Sequence, residues 1–226
     1  MMGDFITRVK NIAGQHAELR ELPVDRELSR IRWIFGLLDL KLANWQAAGI
    51  RKLYTMEMTM PVPMMQQQGI SLYPDNSTDM PVLTVDLTRM KNKTIAYINA
   101  IPLFRDEVYL QKHIDAFTPV FERYQDLPQT DMPAWMQPYR TGCTFFAMTS
   151  ADCYERYEQC AIEYVELYCE RLRQCPQLAD DDARTRASDA QRQFCLELAE
   201  KDTTRNILAK VIGRRRADLI FQEVLI

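Results

Sequence analysis

Between Leu72 and Leu87 the chain runs Leu-Tyr-Pro-Asp-Asn-Ser-Thr-Asp-Met-Pro-Val-Leu-Thr-Val-Asp-Leu, a proline-punctuated turn feeding a strand that carries an acid among apolar residues. Successive side chains on a strand point to opposite faces, so Leu83, Val85 and Leu87 line one face and Val82, Thr84, Asp86 and Thr88 the other. The first face is core. The second is apolar enough to be covered, yet it holds a carboxylate, and a covered carboxylate persists only if it is paired, hydrogen-bonded or protonated. A ligand pocket would supply that cover; a solvated or sheet-edge aspartate is the alternative.

The segments around this strand predict an antiparallel meander. Arg51 to Met60 alternates Lys52, Tyr54, Met56, Met58 and Met60 against Leu53, Thr55, Glu57 and Thr59, a two-residue period. Pro61-Val62-Pro63 closes that strand. Met65 to Leu72, Val82 to Leu87 and Thr94 to Ala100 supply three more, the last two joined by a turn at Lys91-Asn92-Lys93. Upstream, Leu28, Ile31, Ile34, Phe35, Leu38, Leu42 and Trp45 recur at helical spacing and predict one long helix over Asp25 to Ala48, with Gly36 as an interruption. Downstream, Glu107 to Tyr124 reads as a helix, Asp126 to Pro138 as a loop and Cys143 to Met148 as a short strand. Helices are then expected over Asp152 to Cys175, Ala187 to Lys201 and Thr203 to Gln222, with Asp180-Asp181-Asp182 as an acidic linker. Strands in the middle with helices at both ends predict an α+β sandwich. At 226 residues a single domain over residues 1–226 is expected.

Composition removes several function classes. The 28 basic and 31 acidic residues give a net charge of -3, against the broad basic field of a nucleic-acid binder. Six cysteines form no CxxC pair and only His16 and His113 accompany them, so no metal site is expected. The seven glycines never take a GxGxxG or P-loop spacing, which removes the main support for nucleotide folds. No serine-hydrolase elbow is present. Met1 to Glu21 is charged throughout and no apolar run approaches the roughly 18 residues of a membrane span. A cytoplasmic protein with reduced thiols and no membrane contact is the expectation.

Chemistry therefore rests on carboxylates. Asp86 is the first candidate. Asp202 is the second; standing just before a helical run, it also suits a helix N-cap. Glu57 lies opposite the methionine face and reads as a solvent-facing or paired strand residue. Five methionines fall between Met56 and Met65; methionine adapts to irregular apolar space, in a core or on the floor of a pocket. Lys210 and Arg214-Arg215-Arg216 form a local basic patch, either a solvated helix face or a dock for an acidic partner.

In order along the chain, four pieces resemble the ferredoxin-dependent bilin reductases. Arg51-Lys52-Leu53 is similar to the start of that family's first strand. The Tyr73-Pro74 turn, followed by Asp79-Met80-Pro81 and then Asp86, resembles its Phe-Pro turn, Leu-Pro step and catalytic aspartate. Met132-Pro133-Ala134-Trp135 is close to its Pro-Glu-Trp element. Asp202-Thr203-Thr204-Arg205 resembles the Asn-Asp-Lys-Thr-Arg opening of its final helix. The resemblance covers Ile50 to the C-terminus.

It implies a three-layer α/β/α sandwich around a central antiparallel sheet, with biliverdin IXα between the sheet and the C-terminal helices. Asp86 would be the proton donor and Asp202 the second acid. Tyr54, Met56, Met58, Gly69 and Thr84 would line the substrate, and Arg205 would lie among its binding residues. Electrons would come singly from reduced ferredoxin, a 2Fe-2S protein docking on Lys210, Arg214, Arg215 and Arg216, through bilin radicals and with no permanently bound cofactor or metal. A monomer is expected. The chain also departs from the family's phycocyanobilin-forming pattern: Gly69 stands at the place of a histidine, Tyr54 and Met56 at those of another histidine and a glutamate, and Thr203 at that of a lysine. These departures favour a simpler two-aspartate site, as in phycoerythrobilin-forming members or an early-diverging bacterial relative, and the expected product is a phycobilin of the phycoerythrobilin or phycocyanobilin type. The alternatives are a non-catalytic tetrapyrrole carrier and a reductase of a linear chlorophyll catabolite.

Overall fold

The computed structural model describes residues 5–33, 37–61, 64–202 and 204–225. Its centre is one antiparallel sheet. The strands are β1 (Arg20–Leu22), β2 (Arg30–Trp33), β3 (Leu38–Ala47), β4 (Ile50–Pro61), β5 (Met64–Pro74), β6 (Val82–Met90), β7 (Lys93–Ile101) and β8 (Phe145–Ser150), in the order β1-β3-β4-β5-β6-β7-β8, with β2 also on β3. The meander from β4 to β7 is the one the alternation predicts, and Lys91-Asn92 makes the turn between β6 and β7.

The long helix expected over Asp25 to Ala48 is a correction. Only α2 (Arg26–Ser29) is helical there, started by Asp25, whose carboxylate accepts the Glu27 backbone N–H at 2.7 Å. The rest is β2 and β3. Leu38, Leu40 and Leu42 are buried and alternate with Asp39, Lys41 and Ala43, so period two overrides the 3.6-residue spacing that a subset of the same residues also satisfies. Gly49, at φ +77°, turns β3 into β4, a left-handed conformation that favours glycine. Gly36, Val62, Pro63 and Thr203 lie outside the described residues.

Helices cover both faces. On one, α1 (Phe5–His16), α3 (Glu107–His113), α4 (Thr118–Arg123) and α5 (Tyr154–Gln174) bury Phe5, Val9, Phe117, Tyr157, Tyr164 and Tyr168 against Leu53, Ile70, Leu83, Val85 and Leu87. The N-terminal helix has no counterpart in the sequence reading. The expected Glu107–Tyr124 helix is broken by a 3-10 turn over Asp115–Phe117, because Pro119 at the start of α4 cannot continue a helix from α3. On the other face lie α6 (Asp181–Lys201), α7 (Thr204–Ile212), α8 (Arg214–Leu219) and a π-helical turn over Ile220–Leu225.

The acidic stretch read as a linker is instead the start of α6. Asp180 accepts the Ala183 N–H at 2.6 Å, and Asp181 and Asp182 fill the first turn, where acids complement the helix dipole. Gly213, at φ +89°, separates α7 from α8 within the single helix expected there. Among the described residues, no helix is long and apolar enough to cross a membrane.

Candidate active site

Strand register places Asp86 at the middle of a row. Across the sheet, Leu42, Met56, Gly69, Asp86, Tyr97 and Phe146 stand side by side on β3 to β8. The next row toward the β5–β6 loop holds Asn44, Tyr54, Ser71, Thr84 and Asn99; the row beyond, on the other side, holds Met58, Gln67, Thr88 and Ile95. All point to the face that carries the C-terminal helices.

That face is roofed in two places. Over β3 and β4, Leu208, Ile212, Ala217, Ile220 and Phe221 pack on Leu40, Leu42, Tyr54, Met56 and Met58. At the strand ends, Phe194 and Cys195 of α6 close on Tyr73, Val82 and Ile101. Between these clusters Gln67, Thr84, Asp86, Ile95 and Tyr97 are only half-buried, and Met148 at the β8 edge is exposed. The result is a shelf, apolar at its walls and polar at its centre.

Asp86 accepts a hydrogen bond from Gln67 Nε2 at 2.6 Å. Burial pushes its carboxyl up to about 7; the Gln67 amide opposes this, and the Asp202 carboxylate adds to it. Such an acid is poised to hold and release a proton near neutrality. Burial also holds the Tyr54 phenol well above its ordinary value, with Asp86, Tyr73 and Asp202 adding to the effect, so Tyr54 is a neutral O–H.

Asp202 sits at the α6–α7 junction. Its Oδ1 accepts the Thr204 backbone N–H at 2.8 Å, and its own N–H donates to Leu198 at 3.0 Å. The cap reading is therefore met in the geometry, while the charge still reaches Asp86 and Tyr54 across the shelf. Arg205 donates to Asp218 Oδ1 at 2.8 Å and to the Ala199 carbonyl at 3.4 Å, tying α6, α7 and α8 together. Thr84 and Ser71 share a hydroxyl contact at 3.3 Å. Lys210, Arg214 and Arg215 are exposed and Arg216 half-buried, on the outer side of this helical layer. Glu57 pairs with Lys41 at 3.7 Å.

Three residues at the site were not singled out by the sequence. Gln67 is one. Tyr97 flanks Asp86 directly, and Asn99 supports it: Thr144 donates to Asn99 Oδ1 at 2.7 Å, while Asn99 Nδ2 donates to the Tyr139 carbonyl at 2.8 Å and to Tyr97 Oη at 3.1 Å. Tyr97 Oη thus accepts on one side and keeps its own proton to donate. Burial, aided by Asp86, raises this phenol and keeps it neutral. The β6–β7 turn was legible, and counting back from it pairs Tyr97 with Asp86.

The pieces that carry the family resemblance meet here as supports. Arg51 donates to Gln191 of α6 at 3.0 Å, and Gln191 donates to the Pro74 carbonyl at 3.2 Å. Lys52 and Arg51 both lie over the Tyr73 ring, at 5.0 and 4.8 Å. Burial, aided by the Arg51 charge, brings the Lys52 ammonium down to about 8. Together these contacts clamp α6 onto the sheet. The Met132–Trp135 segment leads into the 3-10 turn Ala134–Tyr139, whose last carbonyl receives Asn99.

One group of metal-type ligands stands apart, with Asp79, His113 and Cys175 donor atoms all within 4.8 Å of one another. Lys112 donates to both Asp79 oxygens, at 3.0 and 2.9 Å, and so already neutralises that carboxylate. His113 Nε2 is 3.0 Å from Asp79 Oδ1, within ion-pair distance, though its direction does not meet hydrogen-bond geometry. The group joins α3 to the β5–β6 loop. A cleft of about 650 Å³ lined by His16, Arg123, Glu163 and Arg173 lies in the opposite helical layer and includes none of the Asp86 shelf.

The chain is 28% identical over 158 residues to a 15,16-dihydrobiliverdin:ferredoxin oxidoreductase of Gloeobacter violaceus; the match covers 68% of this chain and 65%, just under two thirds, of that enzyme. A phycocyanobilin:ferredoxin oxidoreductase of the same organism is 22% identical over 220 residues, covering 94% of this chain and 84% of the relative. The crystal structure of tomato phytochromobilin synthase in complex with biliverdin superposes with a TM-score of 0.89 at 16% identity, over 98% of this chain and 81% of that one. The family model described as ferredoxin-dependent bilin reductase matches residues 6–226. The chain belongs to the ferredoxin-dependent bilin reductase family.

Proposed function

We propose that the protein reduces biliverdin IXα to a phycobilin with electrons from reduced ferredoxin. The observation that carries this reading is Asp86: a carboxyl raised to about 7 at the centre of a half-roofed shelf whose uncovered part holds Ile95, Tyr97 and Met148, with Tyr54, Met56 and Met58 beneath the roof beside it. A flat conjugated tetrapyrrole matches that surface, because methionine and aromatic side chains pack on it without demanding hydrogen bonds.

Reduction of one bilin double bond takes two electrons and two protons. Each electron comes from one reduced ferredoxin, and each arrival makes the bilin more basic. Asp86, protonated below about pH 7, gives a proton to the radical anion and is recharged from solvent through the open β6–β8 side. Asp202 serves as the second acid from the helical roof. Tyr97, a neutral donor beside Asp86, orients the substrate's polar edge. Lys210, Arg214, Arg215 and Arg216 offer a basic dock for an acidic ferredoxin. The two-aspartate site without a side chain at Gly69 favours a phycoerythrobilin-type product.

An anaerobic assay with biliverdin, a ferredoxin reducing system and chromatographic identification of the bilin tests this. Consumption of biliverdin with appearance of a reduced phycobilin is the expected result. A shifted biliverdin spectrum with no turnover would identify a carrier instead.

A further inference from the structure

Gln67 stands on β5 opposite Thr88, two residues along from the Gly69–Asp86 pair, and reaches Asp86 on the diagonal. Its 2.6 Å contact with Asp86 Oδ1 is short for an N–H···O bond, as bonds to a carboxylate tend to be. Two neighbours make this grip specific. Gly69 leaves a slot over which the Asp86 carboxyl lies: a β-carbon at 69 would be 3.5 Å from Oδ1 and 3.6 Å from Cγ. Met56 Cε closes the far side of the slot, 3.2 Å from that position. The other titratable or charged groups facing Asp86 are Tyr54 from β4, Tyr97 from β7 and Asp202 from the α6–α7 junction. Tyr54 and Tyr97 are neutral and Asp202 repels negative charge. The hydrogen bond to the Asp86 carboxylate comes from Gln67.

We propose that Gln67 is the positioning residue of Asp86: its amide holds Oδ1 as the acceptor oxygen, so that the exchangeable proton sits on Oδ2, and it stabilises the carboxylate left after proton transfer. This rests on the reading of Asp86 as proton donor and adds what sets its orientation and its working pH. An amide that donates to the charged form lowers the pH at which the acid ionises, against burial and Asp202, which raise it.

The test is an infrared titration of the protein without substrate, in which the Asp86 carboxylic C=O band is identified by its loss in Asp86→Asn. In Gln67→Met, similar in size but without the donor, the ionisation midpoint should rise by about one pH unit, and the C=O band should move to higher frequency as Oδ1 loses its donor. In Gln67→Glu, a second acid beside the first should split the ionisation into two steps. A midpoint that stays put or falls in Gln67→Met overturns the proposal; a fall would mean that Gln67 instead accepts the Asp86 proton through its amide oxygen. Because no bilin is needed, this outcome is independent of whether biliverdin is the substrate. With turnover in hand, the alkaline limb of kcat should shift up with the midpoint in Gln67→Met, while KM for biliverdin changes by no more than a few-fold.

Discussion

The Met56 side chain covers Gly69, its Cε methyl 3.2 Å from the place a β-carbon at 69 would occupy. Two departures from the phycocyanobilin-forming pattern are thereby in contact, and a side chain at 69 requires the Met56 methyl to give way. Gly69→His alone should therefore cost about 1–3 kcal/mol through overpacking. Met56→Ala combined with Gly69→His should recover part of it. Denaturant midpoints of the two single variants and the double variant measure the coupling, and additive effects would show that the methyl yields freely.

Asp86 gives a stability prediction with a definite sign. Its folded-state value of about 7 lies above the ordinary 3.8, so between those limits the folded protein holds more protons than the unfolded one. Stability then falls as pH rises through that window, and the full cost is present above about pH 7. Asp86→Asn removes the ionisation. Its Tm should exceed the parent's at pH 8 and the difference should fade toward pH 4. If bilin binding survives in this variant while turnover collapses, the side chain is needed for its proton and not its shape.

Asn99 is fully buried and satisfies three partners at once. Asn99→Ala leaves the Thr144 hydroxyl and the Tyr139 carbonyl short of a partner and frees Tyr97 to rotate, at about 2–4 kcal/mol. Chemical denaturation reads that loss. Tyr97→Phe, which removes one acceptor from a half-buried ring, should cost about 1 kcal/mol or less.

The basic residues on the outer helical layer predict a salt effect. Charge reversal at Arg214 and Arg215, both exposed, should slow electron delivery from an acidic ferredoxin and flatten its dependence on ionic strength, leaving biliverdin affinity unchanged. Stopped-flow reduction at several salt concentrations provides the measurement. A rate indifferent to salt in the parent protein would remove the basis for this dock.

β4 was legible because Tyr54, Met56 and Met58 alternate with Thr55, Glu57 and Thr59, which also placed those three on one face, and the period of β6 set Asp86 against Val85 and Leu87 in the same way. β3 was not, because Leu38, Leu42 and Trp45 fit a helix as well as a strand, and what decides between them is pairing with Ile50–Pro61 across the Gly49 turn, a tertiary fact. The same holds for Gln67. Three consecutive glutamines carry no periodic signal, and only the register of β5 on β6 shows that Gln67 reaches Asp86 while Gln68 points to the opposite layer, where it accepts from Tyr154 at 3.3 Å. Asp25 and Asp180 are capping signals, but acids before a helix look the same in sequence as the start of a longer helix or an acidic linker, and only the folded chain shows where each helix begins and ends.

Asp202 was open to two readings, and the structure makes them separable. As a cap, its Oδ1 holds the Thr204 N–H at 2.8 Å, and asparagine can make the same bond while alanine cannot. As an acid, it acts through a charge on Asp86 that asparagine lacks. Asp202→Asn should therefore keep thermal stability close to the parent's and lower the pH at which Asp86 ionises, because a repelling charge is gone. Asp202→Ala should do the same to Asp86 and in addition lose about 1 kcal/mol of stability. If turnover falls equally in both variants, the acid is what catalysis needs. If Asp202→Asn turns over at the parent's rate while Asp202→Ala is impaired, the residue's contribution is the cap that holds α7 over the shelf.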